Sequence, residues 1–530
     1  MDILNPCRSR FWQYLLFAAV FPETAAFLTR NLPGCNLGKT SQLQRGGMGM
    51  VMTTPEPTTQ STSSDDIVPL KEKPSSLIRA EEWFAAAVQE RRPFAATVLE
   101  PLAQSGMEVL QSIEKLPTRK DEPYRYADLE SLYRTRYTAP AEQSSITAED
   151  VQPYFMEETE GRRLVFVDGV MDQSLTDLSA VPSGVFIGSI SQVEENKLTS
   201  VLEQLALVPE LDADYRTTQG STSFAALNLA CLADAAVMIV PAGVVVEKSI
   251  QVVFISTSEA DRPSLCNHRL LVIANEDSKL NFIQNNIGKG SSHFSNGLTR
   301  LIVHQNASVI HTYLQEQPEE VQGLETVLSE VAGAGNYNLT SITYGGDKTR
   351  LNIQIDLNGE EALGQIEGAV VSGGQQSIAH YTSIRHNAEN TKSRQQQRNI
   401  LGESSDIVFK GRIRVEQIAQ ETDSDQLCRS LMLSDKAAVT AMPSMEIIAD
   451  QVKCTHGATI TDMSEEDLFY FQSRGIDRQK ARNMIVLGFA REICANVKCE
   501  KFGERIYAKV ATIVPKEETR SLDDYEFQSI

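Results

Sequence analysis

The sequence has few cysteines, no excess of basic charge and no long apolar run. Its eight cysteines are scattered over 530 residues without a Cys-x-x-Cys pair. This density excludes a disulfide scaffold and favours free thiols in a reducing compartment. The formal net charge of −21 argues against nucleic acid and anionic membrane surfaces as partners, because both attract basic patches.

The N-terminal segment is typical of a targeting sequence. An apolar run at residues 11–21 follows two arginines and is too short to span a bilayer. Small residues then precede Phe27, and residues 27–64 are rich in Ser and Thr with Glu56 as their only acid. Residues 1–64 therefore resemble a bipartite signal-plus-transit presequence, which implies the stroma of a plastid (chloroplast), reached as a secondary plastid. A plain secretory signal followed by a disordered linker is the alternative.

One stretch in this segment imitates a phosphate-binding loop. In the run Gly34-Cys-Asn-Leu-Gly-Lys-Thr40, the first glycine lies one residue out of register and no strand precedes it. We therefore reject this stretch as a phosphate-binding loop.

The remaining chain divides by pattern into a helical part, a β-rich part and a helical end. Residues 65–235 are expected to form a mostly helical N-terminal domain with one clear strand at 163–167. From 236 to 460, short strands follow one another without intervening amphipathic helices, which excludes a doubly wound α/β sheet. A sandwich, a propeller or a β-solenoid remains possible. Asn and Gln residues at 281, 284, 285, 305 and 306 favour the solenoid.

The C-terminal end carries two amphipathic helices within residues 461–514, followed by an acidic tail at 515–530 that we expect to be disordered. Compact helices outside a β core are a natural docking element for a partner protein. The alternative is that their apolar residues only complete the core.

A short stretch, Val452–Thr459, joins the β-rich part to these helices. If it is extended, Cys454 and His456 point to the same face with Cα atoms roughly 6.6 Å apart. A thiolate and an imidazole at that spacing can reach one metal ion. The alternatives are a buried cysteine that only packs and a histidine that is satisfied by hydrogen bonds at an interface.

The other soft ligands are less suitable candidates. His304 and His311 are expected to face solvent, and Cys428 lies on an expected core strand. Cys494 and Cys499 would fall on different faces of a helix. His386 is a weaker metal-ligand candidate than His456.

Five stretches of the second half share distinctive residues with one known family. They are 409–415, 419–426, 431–437, 445–459 and 467–476. They closely resemble the SufD family of the SufB–SufC–SufD system for iron–sulfur cluster assembly. This resemblance implies a mainly β fold, namely a right-handed parallel β-helix core flanked by α-helical N- and C-terminal domains. It also implies a scaffold subunit that is not itself an enzyme.

The resemblance further implies two partners and one site. A SufB-like paralogue would form a heterodimer with this chain, and iron or an iron–sulfur cluster would bind transiently at their interface. By resemblance His456 supplies a ligand there and Cys454 assists. A SufC-like ATPase would dock on the C-terminal helices through Asp467, Leu468, Phe469, Arg474, Gly475, Ile476, Met484, Ile485 and Phe489.

Two other functions remain open from the sequence. A SufB-type paralogue commonly carries Glu where this chain has Gly457, so the Cys-Thr-His-Gly-Ala stretch favours SufD. A carbohydrate-active β-helix enzyme would need clustered acids on one solenoid face, and the expected strands carry no comparable constellation.

Overall fold

The structure is a computed structural model that describes residues 80–141, 146–209, 221–259, 261–462, 465–494 and 500–513. All of these belong to one compact unit, Pro69–Ile530. The expected presequence at 1–64 and the expected tail at 515–530 lie outside the described residues. No described helix is both long and apolar enough to cross a membrane.

Two long sheets form the centre of the fold. Ten strands make the first sheet, in the order β2 (Val170–Met171), β1 (Arg163–Val167), β5 (Ile250–Thr257), β7 (Lys279–Lys289), β9 (Ser308–Glu316), β11 (Asn336–Thr343), β13 (Leu363–Ser372), β15 (Lys392–Leu401), β17 (Thr422–Met432) and β19 (Val452–Asp462). Nine strands make the second sheet, in the order β3 (Phe186–Ser189), β4 (Ala236–Val240), β6 (Ser264–Ala274), β8 (His293–Val303), β10 (Gln322–Val331), β12 (Lys348–Leu357), β14 (Ser377–His386), β16 (Asp406–Val415) and β18 (Ala438–Ile447).

Successive strands alternate between the two sheets, so the chain winds as a solenoid. From β4 and β5 onward every neighbouring pair is parallel, and Lys348 lies opposite Ser377, which lies opposite Asp406. Each of those steps is 29 residues along the chain. The parallel β-helix core with flanking helices, expected from the resemblance, is therefore confirmed. Its β structure begins before residue 236, because β1 pairs in parallel with β5.

Helices cover the outer face of each sheet. Apolar residues of the N-terminal helices pack against Leu265, Phe294 and Leu324 on the nine-stranded sheet. Those of the C-terminal helices pack against Leu314, Ile342 and other outward residues of the ten-stranded sheet. The helices are α1 (Ala80–Gln89), α2 (Glu100–Gln111), α3 (Glu130–Arg134), α4 (Ala148–Val151), α5 (Glu195–Leu205), α6 (Thr222–Ala230), α7 (Glu465–Gln472), α8 (Arg478–Cys494) and α9 (Glu500–Ile513).

The interior between the sheets contains a large apolar cluster and, beside it, a buried polar network. Nε2 of His268 lies 2.9 Å from Oε2 of Glu325, and both side chains are almost fully buried. Asn286 and Thr299 also donate to the Glu325 carboxylate, at 2.9 and 3.0 Å. A buried carboxylate is tolerated only with such partners. The interior of the solenoid is therefore built to hold polar groups.

Gly297 provides the space for this network, since a Cβ there would overlap with Oε2 of Glu325 and Nε2 of His268. We expect Gly297→Ala to lower the free energy of unfolding by about 1–3 kcal/mol, which is the usual cost of overpacking a core. Denaturant unfolding of the full chain would measure it. Gly488→Ala in α8, where a Cβ meets nothing within 4 Å, is the matched control and should be neutral or slightly stabilising. An unchanged stability for Gly297→Ala would contradict this account.

Candidate functional site at the open end of the solenoid

The last coil of the solenoid consists of β18 and β19. Each is the end strand of its sheet and pairs on one side only, β18 with β16 and β19 with β17. The inward side chains of β17 are buried, whereas most of β19 is exposed. Within the described ranges, this end of the interior therefore carries no further coil above it.

Cys454 and His456 both lie on the inward face of this last coil. Their Cα partners on β17 are Ser424 and Gln426, two buried inward residues. His456 is exposed and Cys454 is half-buried against the main core cluster. The pair thus forms part of the uncovered end surface, with the imidazole more accessible than the thiol.

The Cys454 thiol lies in a surrounding that favours its protonated form. Burial raises the pKa of Cys454, the nearby Asp423 carboxylate raises it further, and a backbone hydrogen bond at Ser424 opposes them. A metal ion that binds the sulfur must therefore displace a proton.

Beneath His456 lies a ladder of buried amides. Nε2 of Gln426 donates to Oε1 of Gln395 at 2.7 Å, and Nε2 of Gln395 donates to Oγ1 of Thr382 at 2.5 Å. Oε1 of Gln426 has no hydrogen-bond partner among the described residues. Sequence reasoning missed this ladder, although the polar run Arg394-Gln-Gln-Gln-Arg398 on β15 was a signal for it.

A second chain of hydrogen-bonded side chains lies beneath Cys454. Nε2 of His386 lies 2.9 Å from Oγ of Ser393, which lies 2.8 Å from Oγ of Ser424. Nδ1 of His386 lies 2.8 Å from Oγ1 of Thr391. Burial lowers the pKa of His386 to about 4. Both ring nitrogens are engaged, so His386 could bind a metal only by losing these contacts.

The structure contradicts the prediction made for His311 and confirms the one made for Cys428. His311 is fully buried, stacks on Phe282 and contacts the Tyr337 hydroxyl at 2.9 Å, so the expectation that it faces solvent was wrong. His304 is half-buried in a turn. Cys428 is buried on its core strand, as predicted. The side chains of Cys494 and Cys499 lie outside the described residues.

The end surface is also apolar. Ile460 on β19 is 48 % exposed, and Ile447 and Ile448 at the end of β18 are also exposed. Edge strands with unpaired backbone groups and apolar side chains readily accept another chain. Across the described ranges, no group of three or more His, Cys, Asp or Glu residues could hold a metal ion.

Most of the expected docking residues lie on a second surface, which is formed by α7, α8 and the turn between them. Phe469 is 70 % exposed, and Asp467, Arg474, Gly475 and Met484 are also exposed. The half-buried residues Ile476, Ile485 and Phe489 pack against the cluster beneath the helices.

Leu468 belongs to that cluster rather than to the surface. It is 1 % exposed, and its apolar side chain is buried between the helices and the sheet. The prediction that Leu468 contacts a partner is therefore incompatible with its burial. Exposed apolar residues that sequence reasoning missed on this surface are Tyr470 and Leu487.

Two family descriptions match the chain. Residues 82–252 match the SufBD protein N-terminal region, and residues 254–489 match the SufBD core domain of SUF system FeS cluster assembly. The second match includes the last coil and most of α7 and α8.

Three curated relatives match over most of their own length. The chain is 30% identical over 420 residues to protein ABCI7, chloroplastic, of Arabidopsis thaliana, covering 78% of this chain and 84% of the relative. It is 27% identical over 450 residues to iron–sulfur cluster assembly protein SufD of Escherichia coli, covering 83% and 98%. It is 26% identical over 400 residues to a SufBD family protein of Synechocystis, covering 74% and 85%.

Proposed function

Because this chain belongs to the SufBD family of the SUF iron–sulfur cluster assembly system, we propose that it is a SufD-type scaffold subunit. In this role it catalyses no reaction itself and binds no nucleotide. It offers a surface on which iron and sulfide meet.

The exposed imidazole of His456 at the uncovered end of the solenoid carries this proposal. Neutral imidazole is a suitable iron ligand, and thiolate sulfur suits iron–sulfur chemistry. Cys454 lies on the same face two residues away and serves as a second, weaker candidate ligand. The remaining ligands of the iron or of the nascent cluster come from the partner subunit.

A SufB-like paralogue is the partner proposed for this end. The unpaired edges of β18 and β19 and the exposed side chains of Ile447, Ile448 and Ile460 support such a contact. Pairing there would place His456 inside a heterodimer interface and shield the cargo from water.

The alternative, a SufB-type role for this chain, is not excluded by packing at Gly457. A Cβ at that position would meet only Cδ1 of Leu427, at an ordinary distance of 3.5 Å, so a larger residue would fit there. The preference for a SufD-type role depends on the relatives that bear that name.

A SufC-like ATPase is the partner proposed for α7 and α8. Phe469, Tyr470, Met484 and Leu487 provide exposed apolar area, which is typical of the centre of a protein interface. ATP would be bound and hydrolysed by that partner.

We also propose a plastid stroma as the location, reached in a secondary plastid through the presequence expected at residues 1–64. The chloroplastic designation of the Arabidopsis relative supports a plastid.

Co-purification from an oxygen-free, reducing preparation tests this function. We expect the full chain to retain both a SufB-like paralogue and a SufC-like ATPase. Phe469→Asp combined with Leu487→Asp should lose the ATPase and keep the paralogue, because each substitution places a charge in an apolar contact. Ile310→Asp, which places the same charge at an exposed apolar position on β9, is the control and should keep both. A chain that retains neither partner would contradict the proposal.

A further inference from the structure

Gln426 has a buried polar atom that the rest of the molecule does not explain. Its side chain is fully buried, its amide nitrogen donates to Gln395, and its amide oxygen has no partner among the described residues. Buried polar atoms are almost always satisfied, so one without a partner needs an explanation.

The hydrogen bonds of the ladder indicate which way the Gln426 oxygen points. Gln426 donates toward Gln395, and Gln395 donates toward Thr382, so both amide nitrogens point away from the last coil. The Gln426 oxygen is therefore the acceptor at the end of the ladder nearest the last coil. The residue paired with Gln426 in that coil is His456, and Cα atoms of neighbouring strands lie only about 4.8 Å apart.

The backbone of the nine-stranded sheet leaves room for the amide in this position. A Cβ at Gly411 on β16 would overlap with Nε2 of Gln426, so the glycine provides the space that the amide group occupies. A larger residue at position 411 would therefore displace the Gln426 amide.

No ring nitrogen of His456 lies within hydrogen-bond distance of this oxygen in the structure. We propose that a rotation of the imidazole brings one there, so that Gln426 is a positioning residue that accepts a hydrogen bond from one ring nitrogen of His456 and leaves the other nitrogen free to bind iron. Histidine ligands in metal sites usually donate their second ring N–H to a carbonyl or carboxylate, which fixes the tautomer and the ring orientation. The Gln395 and Thr382 contacts prevent the Gln426 amide from rotating. This inference rests on the proposed role of His456 as a ligand.

The tautomer of His456 gives a test that needs no partner and no metal. In the full chain with 15N-labelled histidine, at a pH where the ring is neutral, we expect one tautomer to dominate the imidazole nitrogen spectrum. Gln426→Leu should produce a mixture of the two tautomers. Gln397→Leu is the matched control. Gln397 is equally buried, but it pairs with Cys428, which in turn pairs with Ala458 rather than with His456. A tautomer ratio that is unchanged in Gln426→Leu would overturn the inference.

Metal affinity gives the second test, with Co²⁺ as the probe in the complex reconstituted with the SufB-like paralogue. We expect Gln426→Leu to weaken Co²⁺ binding by about 10–100-fold, as losses of such supporting contacts do, and Gln397→Leu to leave it unchanged. His456→Ala separates the two ideas. If it leaves Co²⁺ affinity unchanged, the proposed ligand role is wrong. If it abolishes binding while Gln426→Leu does not weaken it, only the positioning role is wrong.

Discussion

His456→Ala is expected to leave the complex assembled and to reduce cluster formation on it by at least about tenfold, a loss that even supporting residues of metal sites can cause. The imidazole is exposed, and the hydrogen bond proposed to Gln426 is worth about 0.5–1.5 kcal/mol, so removal of the imidazole should lower the free energy of unfolding by no more than about 1.5 kcal/mol. A loss of cluster formation would therefore indicate a missing metal ligand rather than an unfolded subunit.

Anaerobic reconstitution with ferrous iron and sulfide measures this effect through the visible absorbance of the bound cluster. Gel filtration of the same samples checks that the subunits stay together. Thr459→Ala, an exposed change on the same strand, is the control and should load normally. Cys454→Ala shows whether the thiol assists. Normal loading of the His456→Ala complex would remove the basis for a ligand role at this position.

The strand at Leu351–Leu357 was predictable from the sequence, and the polar strand at Lys392–Leu401 was not. Leu351–Leu357 alternates apolar and polar residues, and the structure places it in β12 as expected. Lys392–Leu401 contains Gln and Arg where a strand normally carries apolar residues, yet it forms β15. Gln395 and Gln397 on this strand are buried because hydrogen bonds to other interior side chains replace apolar packing there.

Local turn signals were reliable only where the chain passes from one sheet to the other. The sequence predicts a turn at Glu276-Asp277, which is present between β6 and β7, and Asp277 has a left-handed backbone with a φ of 58°. The sequence also predicts turns at Gly288 and Gly297, and both predictions were wrong, because both residues lie inside strands. Gly297 is a glycine because of the space that the His268–Glu325 pair occupies. The three residues lie opposite one another on adjacent strands but far apart in the sequence, so the contact leaves no local signal.

The spacing of Cys454 and His456 was enough to predict their common face, but not their accessibility. Their accessibility depends on β19 being the last strand of its sheet. The number of coils in the solenoid decides which strand is last, and a short motif does not reveal it. The reasons for the solenoid prediction were also only partly sound. Gln284 faces the interior with Phe282, whereas Asn281 and Asn285 face outward, so these polar residues do not share one face.

Arg505→Met is expected to have the largest effect on stability. Nε and Nη2 of Arg505 on α9 lie 2.8 and 3.0 Å from the two carboxylate oxygens of Glu316, whose side chain is 1 % exposed. Removing one partner of a buried ion pair leaves an uncompensated charge and typically costs about 3–5 kcal/mol. Lys509 lies on the same helix and forms a more exposed ion pair with Glu319. Lys509→Met, which breaks this pair, should cost less than about 1 kcal/mol of stability.

The pH dependence of this loss identifies its cause. Burial raises the pKa of Glu316, and Arg505 opposes that shift, so Arg505→Met should raise the pKa further. A carboxyl whose pKa is higher in the folded than in the unfolded state binds its proton more tightly when folded, and its contribution to stability falls as pH rises. The variant should therefore lose most stability at mildly alkaline pH and recover part of it as the pH falls and Glu316 becomes protonated. Denaturant unfolding of both chains across this range measures the difference. An equal loss at every pH would mean that α9 is held by apolar packing at Ile506, Val510 and Ile513 rather than by the charge on Glu316.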